Sequence, residues 1–456
     1  MKLRYVLTVV FTLFLLSCPE EFNYDDTKFW VVDFSSPVAA NKQYQIDAEF
    51  LASGVHCTIW AEKGSNLSYS TAASIAREFD NKIYPKMMEA FGCQFTLSNG
   101  KTENTMQYAD VDGDGKLCIL FMDIKDSYSS TNRSYIAGYF YPLHLYIDPF
   151  SNRRDMIFID TYPGPDPGST ESNMTIAHET QHLMNYSTTL ALRSTPYRRE
   201  MDIWIDEGLS SAAEYLYAGT HNYARVNWFN TNGNGAGKIN QGNNFFVWDN
   251  HGSVLDDYST VYLFFQWLRL QSNGTGIYKE IISSAYSDYK AVTTAAAKYS
   301  LSGDWGTLLG NWLAANYENH SSNINGYKND PVLKNIKVPG SAGIGASVSL
   351  YPGEGVYSKV NGSHSFDGSG NIKYVQLTGN VLLTYNNSTN NKEGTSPGST
   401  TGTPLSLAAS SNTAGRFLFD FNEPHQIGAH GLLPDDYTDS INYGALLKPL
   451  TDRYEH

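Results

Sequence analysis

The sequence predicts an α+β fold with two lobes, a mixed sheet with helices and then a helical lobe, followed by a C-terminal β-sandwich-like domain. Residues 28 to about 160 hold short apolar runs bounded by turn residues, which is typical of strands. Residues 202 to about 320 repeat apolar side chains at helical spacing. From about residue 325, short strand-like runs alternate with Gly, Ser and Asn. At 456 residues, the chain is longer than one average domain.

The N-terminus, MKLRYVLTVVFTLFLLSC, has early cations and then an apolar run too short to span a bilayer. This pattern is typical of a secretory signal. The run ends in Leu15-Leu16-Ser17-Cys18, which resembles the lipobox of bacterial lipoproteins. The resemblance implies a signal peptide over 1–18, a lipid on Cys18 and an exported, membrane-anchored protein on the outer surface or the periplasmic face. Ordinary cleavage near Ser17 is the alternative. Residues 19–28 look like a tether.

The formal net charge of −14 argues against nucleic acid as a partner, because phosphate backbones repel an acidic chain. No later segment is apolar enough over a sufficient length to span a bilayer, so membrane contact is expected only through the lipid. We expect a monomer. Beyond Cys18, an odd number of cysteines remains (Cys57, Cys93 and Cys118), so at most one disulfide can form. Cys118 lies in an apolar run and is expected to be a buried thiol.

In the first lobe, strands are predicted in KFWVVDF, YQIDAEFL and HCTIWAEK, and again at 117–124 and 156–160. One helix, ended by Gly92, is predicted where Ile75, Phe79, Ile83 and Met87 recur at helical spacing. A second helix runs through NMTIAHETQHLMNY, with Ser172 as its candidate cap.

The helical lobe is predicted from WIDEGLSSAAEYLY, DYSTVYLFFQWLRLQ, IYKEIISSAY and WGTLLGNWLAANYENH, interrupted by a loop from His221 to Asn250. Strands in the C-terminal part are predicted in ASVSLYPGEGVYSKV, IKYVQLTG, VLLTYNN and GRFLFDF.

The second helix carries a His-Glu-x-x-His motif. His178 and His182 share one helical face, so both imidazoles can bind one ion, and Glu179 is placed to reach a water on that ion. Chance predicts roughly 0.01 such matches in this chain. Zinc suits imidazole and carboxylate ligands, and a catalytic zinc uses three protein ligands.

Asn185 and Thr188 stand where a metzincin has Gly and His, which excludes that type. The residues alone leave five candidates for the third ligand, namely Glu200, Asp202, Asp206, Glu207 and Glu214.

The segments AHETQHLMN and IWIDEGLSSAAEY resemble the gluzincin zinc metallopeptidases, most closely the hyicolysin family in its bacterial secreted or lipoprotein form. Further segments extend the resemblance over roughly residues 50 to 320. It implies a zincin-like catalytic domain over 29–324, with an α/β lobe to about 186 and a helical lobe over about 200–324. Residues 325–456 would then form the β-rich domain. The resemblance makes Glu207 the third zinc ligand, with Asp206 in place of the usual Asn.

The same resemblance implies roles for neighbouring residues. Glu179 would act as general base. Tyr258 would stabilise the oxyanion, with Tyr262 and His251 as rivals. Glu214 follows Glu207 by seven residues on the same helical face, so its position suits an acid that orients a zinc histidine, or else an ordinary acid that faces solvent.

The resemblance implies a zinc endopeptidase that acts on extracellular proteins. The chain lacks the Gly-x-Met-Glu-Asn segment with which aminopeptidases of this clan bind a free amine, and the strand at 156–160 is expected to pair with an extended peptide. Two alternatives stay open: a non-catalytic surface lipoprotein (an adhesin or binding protein) on a degenerate protease scaffold, and a zinc aminopeptidase.

Asp110, Asp112 and Asp114, followed by Gly115, match the start of a calcium loop. Position twelve is Phe121 rather than a bidentate Glu, which excludes a full EF-hand. The candidate is therefore a calcium site of another kind, or an Asp/Gly turn before a strand.

Overall fold

The structure is a computed structural model. It describes residues 27–35, 42–97, 99–131, 134–192, 200–231, 246, 254–336, 338, 350, 352–361, 370–389 and 425–427. The signal peptide, Cys18, His251 and the run GRFLFDF lie outside these residues.

The strands of the first lobe are β1 (Lys28–Asp33), β2 (Lys42–Ser53), β3 (Cys57–Glu62), β4 (Gln94–Thr96), β5 (Thr102–Asn104), β6 (Leu117–Met122), β7 (Ser134–Ile136), β8 (Gly138–Phe140) and β9 (Met156–Asp160). Six of them form a mixed sheet in the order β1-β2-β3-β6-β9-β8. The pairs β3-β6 and β6-β9 are parallel, and the others are antiparallel. Every residue of β6 and β9 is buried, as expected for strands covered on both faces.

The position of β9 corrects one prediction. This strand was expected to be free to pair with a peptide, but β6 and β8 flank it on both sides. The edge of the sheet is β8 instead, and its three residues are buried. The sequence did not predict the pairing of β8 with β9 because β8 is very short and a long irregular connection separates the two strands.

The first predicted helix is divided into α1 (Tyr69–Glu78), a π-helical turn (Phe79–Ile83) and α2 (Tyr84–Phe91). Pro85 lies in the first turn of α2 and has no N–H to donate, so the regular α-helical bonding is interrupted there. The four predicted apolar positions are all buried, and Gly92 caps the end of α2 as predicted. A short helix, α3 (Thr105–Ala109), follows.

The helix with the His-Glu-x-x-His motif, α4 (Thr170–Leu192), is longer than predicted at both ends. Ser172 was predicted to cap it but is buried inside its first turn. The cap is Ser169, whose Oγ accepts a hydrogen bond from the Ser172 N–H at 3.1 Å. Both serines precede the apolar run, so the sequence alone did not distinguish them.

The helical lobe contains α5 (Ile203–Ala218), α6 (Tyr223–Thr231), α7 (Val254–Gln271), α8 (Gly276–Ile282), α9 (Tyr289–Lys298) and α10 (Trp305–Glu318). The prediction of a loop from His221 to Asn250 is therefore wrong where α6 forms, at Tyr223–Thr231. One core cluster joins the lobe to the α4 side of the sheet. Within the described residues, no helix has both the length and the apolar composition needed to cross a membrane.

The described C-terminal part holds β10 (Gly355–Lys359), β11 (Ile372–Leu377) and β12 (Val381–Asn386), an antiparallel sheet in the order β10-β12-β11. A further strand, β13 (His425–Ile427), pairs in parallel with β7. The three-stranded sheet packs on α10, where the Tyr357 hydroxyl donates to the Leu313 carbonyl at 2.7 Å. Cys57, Cys93 and Cys118 are all buried, and within the described residues none of them is in a disulfide.

Candidate metal centre

Helices α4 and α5 pack side by side and bring the metal-binding motif against an acidic face. His178 and His182 lie one turn apart on α4, with ring centroids 4.8 Å apart. Glu207, on the first turns of α5, is completely buried opposite them. Its Oε2 lies 3.2 Å from His178 Nε2 and 3.6 Å from His182 Nε2. One ligand atom from each of the three residues lies within 4.8 Å of the others.

Two further acids bind the ring nitrogens of the histidines that face away from Glu207. Nδ1 of His178 lies 2.8 Å from Glu214 Oε1, and Nδ1 of His182 lies 2.9 Å from Asp206 Oδ2. A carboxylate accepts a hydrogen bond and cannot donate one, so we assign the imidazole proton to Nδ1 in both rings. The Nε2 atoms face Glu207, and a metal ion bound there would take the place of a proton on Nε2. This donor set, two imidazole nitrogens and a carboxylate oxygen with oriented rings, fits a zinc ion.

The electrostatics of the cluster also favour a cation. Burial alone would lower the pKa of His178, but hydrogen bonds to Glu207 and Glu214 and the charge of Glu179 raise it to about 10. The surroundings therefore stabilise positive charge at the position where the three ligand atoms converge.

Glu214 is not a solvated acid, since it is 1 % exposed. The Arg225 guanidinium binds it through Nη2 at 2.5 Å and Nε at 3.2 Å, and the Asn222 amide donates to it at 2.8 Å. Burial would raise the pKa of Glu214, but Arg225 and His178 lower it to about 2. The carboxylate that holds His178 is therefore ionised at neutral pH.

Asp206 does not reach the cluster of ligand atoms. It binds Nδ1 of His182 and also accepts from the Asn185 amide. The hydroxyl of Ser210, one turn further along α5, lies 3.1 Å from the same Nδ1 and donates to Gln181. The sequence contained one indication that Asp206 supports a histidine, namely its position directly before Glu207. Nothing in the sequence indicated that Arg225 and Asn222 bind Glu214.

Of the candidate oxyanion donors that the structure describes, Tyr258 contacts the metal cluster and Tyr262 does not. The Tyr258 hydroxyl donates to Glu207 Oε1 at 2.9 Å, and burial together with Glu207 raises the pKa of this phenol well above its usual value. The Tyr262 hydroxyl instead lies 2.8 Å from His221 Nδ1 and accepts from the Asn222 N–H at 3.1 Å. His251 lies outside the described residues.

Glu179 follows His178 on α4 and is 3 % exposed. Gly138 of the edge strand β8 passes close to it, since a Cβ built on Gly138 would lie 3.2 Å from Glu179 Cγ. The glycine thus lets the edge of the sheet approach the helix at this carboxylate.

The predicted calcium residues are only partly brought together. Carboxylate oxygens of Asp110 and Asp112 lie within 4.8 Å of each other and of Asp155, which the sequence did not indicate. Asp114 is not a member of this group. Its Oδ1 instead accepts from the Lys116 N–H at 2.7 Å.

No protein-family model matches the chain. A curated relative, the neutral metalloprotease ShpI of Staphylococcus hyicus, is 31 % identical over 305 residues. The match covers 65 % of this chain and 64 % of the relative, so the chain spans somewhat less than two thirds of that protein's length. This similarity and the cluster of His178, His182 and Glu207 confirm the resemblance to the hyicolysin-like gluzincin metallopeptidases that the motifs predicted.

Proposed function

We propose that the chain is a zinc-dependent endopeptidase that hydrolyses peptide bonds of extracellular proteins. The observation that carries the proposal is the convergence of His178, His182 and Glu207 on one point, with Glu179 next to the first ligand on α4. The name of the relative, a neutral metalloprotease, supports the same reaction class.

When bound, a zinc ion would supply a Lewis acid that polarises the scissile carbonyl and acidifies water. His178, His182 and Glu207 would hold it, with the two rings oriented by Glu214 and Asp206. Glu179 would accept a proton from the attacking water and later deliver it to the leaving amine.

Tyr258 is the candidate donor to the oxyanion. Its phenol stays protonated at neutral pH because burial and Glu207 raise its pKa, so it can donate a hydrogen bond. The hydroxyl already donates to Glu207. To serve the oxyanion it has to turn away from that carboxylate, and we propose that substrate binding drives this change.

An endopeptidase is favoured over an aminopeptidase because the sequence has no Gly-x-Met-Glu-Asn segment. Because β9 is an interior strand, it cannot pair with a peptide, so the preference for an endopeptidase rests on the sequence alone. An N-blocked peptide and its unblocked counterpart should be cleaved at similar rates. Turnover of the unblocked peptide alone would favour the aminopeptidase.

The non-catalytic alternative is tested by Glu179→Gln, with Glu171→Gln as a matched control, because Glu171 is an exposed acid at the start of the same helix. We expect Glu179→Gln to keep stoichiometric zinc and lose casein cleavage by at least about 100-fold. The control should behave as wild type. Equal cleavage by wild type and Glu179→Gln would overturn the mechanism.

The third ligand is tested by zinc content. Glu207→Gln replaces an anionic ligand by a neutral amide of the same shape and should lose zinc on dialysis while remaining folded. Stoichiometric zinc retained in this variant would count against Glu207.

We also propose that Cys18 anchors the exported protein to a bacterial membrane through lipid. Wild-type protein should partition into the detergent phase, and Cys18→Ala should move to the aqueous phase. Equal partitioning of the two would leave ordinary signal cleavage as the explanation.

A further inference from the structure

A second group of candidate metal ligands lies at one end of the central strands β6 and β9. Asp110 ends α3, Asp112 follows it in the connection to β6, and Asp155 directly precedes β9. One carboxylate oxygen from each lies within 4.8 Å of the others. The backbone ties these segments together, because the Cys118 N–H donates to the Asp155 carbonyl at 2.9 Å.

Two of these carboxylates have a buried oxygen without a hydrogen-bond partner in the described structure. Asp155 is 2 % exposed and its Oδ1 is unpartnered within the described structure. Oδ1 of Asp112 is likewise buried and unpartnered there. A buried anionic oxygen without a donor is costly, and proteins retain such groups where a cation binds them.

The charges around the three aspartates also favour a bound cation. Burial and then the charges of Asp114 and Asp110 raise the pKa of Asp112. Burial and the neighbouring acids also raise the pKa of Asp155 well above its usual value. Arg154 supplies positive charge near Asp112, but its guanidinium also lies over the rings of Phe29 and Trp60 at 5.2 and 5.3 Å. One guanidinium does not neutralise three converging carboxylates.

We propose that Asp110, Asp112 and Asp155 bind a calcium ion that ties the connection before β6 to the start of β9. All three side-chain ligands are carboxylate oxygens, which hard cations prefer to nitrogen or sulfur. Calcium accepts six to eight oxygens in irregular geometry, so backbone carbonyls and water can complete the shell. Magnesium demands an octahedron and seldom uses a protein cage. The site shares no residue with the zinc cluster, so the ion would have a structural role.

The test uses the full chain in the Glu179→Gln background, which prevents self-digestion, with zinc kept saturating. Thermal unfolding is followed in calcium-depleted buffer without chelator and in calcium at roughly millimolar concentration, which suits affinities typical of extracellular modules. We expect calcium to raise Tm by about 3 °C or more, and calorimetric titration to show one site. Magnesium should produce a much smaller shift.

The Asp155→Asn and Asp112→Asn variants should lose the calcium shift and the calorimetric signal. Asp112 is partly exposed, so its variant is expected to fold even if Asp155→Asn does not. Asp114→Asn is the matched control, since it removes one charge from the same turn without touching the cluster, and should keep most of the shift. The absence of a shift in the parent, or an equal loss in the Asp114 variant, would overturn the proposal. The second outcome would show general attraction by the acidic turn rather than coordination.

Discussion

The hydroxyl of Tyr258 donates a hydrogen bond to Oε1 of Glu207 at 2.9 Å, while Oε2 of the same carboxylate faces both histidine Nε2 atoms. The tyrosine thus touches the oxygen that points away from the histidines. This hydrogen bond restrains the rotation of the carboxylate, so we propose that Tyr258 positions Glu207 in addition to being the candidate oxyanion donor. The two roles can be separated by experiment.

Tyr258→Phe removes the hydroxyl and keeps the ring. If Tyr258 orients Glu207, the dissociation constant for zinc should rise about 10-fold, within the range for residues that support metal ligands. If it also donates to the oxyanion, kcat at saturating zinc should fall by about 100-fold. Tyr262→Phe is the control, because its hydroxyl contacts His221 and the Asn222 N–H but not the ligand Glu207, and it should change both quantities far less than Tyr258→Phe. An unchanged zinc affinity in Tyr258→Phe would rule out the positioning role.

Asp206→Asn should weaken zinc binding about 10- to 100-fold. Asp206 accepts from His182 Nδ1 at 2.9 Å and is 5 % exposed, so the variant replaces a buried charge that fixes the ring by a neutral amide. The measurement is competition with a zinc-binding dye. Asp202→Asn, at the start of the same helix, serves as control and should retain wild-type affinity. Equal affinities in all three proteins would mean that Asp206 does not orient the ring.

The parts of the centre that depend on local spacing were predictable from the sequence. Two histidines four residues apart on a helix share a face whatever the rest of the fold does. The third ligand, Glu207, was predicted from the family resemblance. The supporting contacts depend on packing between distant segments. Examples are Glu214 with Arg225 at the start of the next helix, and Asp112 with Asp155 in the segments that precede two different strands. No periodicity in one segment encodes such a pairing.

The same reasoning applies to the sheet. Apolar runs located β6 and β9 correctly, because strands buried on both faces are continuously apolar. Which strand pairs with which is a tertiary property, so the partner of β9 was missed. The edge strand β8 has only three residues and carries Gly138, and neither feature predicts a strand.

Gly208→Ala should destabilise the fold by about 1–3 kcal/mol. A Cβ at Gly208 would lie 2.3 Å from Cδ2 and Cε2 of Phe265, where α5 packs against α7. The Phe265 ring is fully buried among other aromatic side chains and has little room to move. Gly303→Ala is the control, because its Cβ would meet Ala297 Cβ at an ordinary 3.5 Å. Urea unfolding measures both, and equal stability of the two variants would show that the helices adjust without cost.

The last prediction concerns acid stability. Asp330 Oδ2 lies 3.0 Å from His221 Nε2 and 3.9 Å from Arg269 Nη2, and its Oδ1 accepts from two backbone N–H groups. Burial would raise the pKa of Asp330, but the hydrogen bonds from His221, Leu333 and Val332 lower it to about 2 from 3.8.

Because the folded pKa is the lower one, the folded state favours the ionised carboxylate. This contribution to stability is complete above pH 4 and is lost as the pH falls through about 2. Asp330→Asn should therefore lower the free energy of unfolding at pH 6 and flatten its decline between about pH 4 and 2. The exposed Asp47→Asn is the control and should reproduce the wild-type curve. Urea unfolding at a series of pH values gives the comparison, and parallel acid profiles for wild type and Asp330→Asn would contradict the assignment.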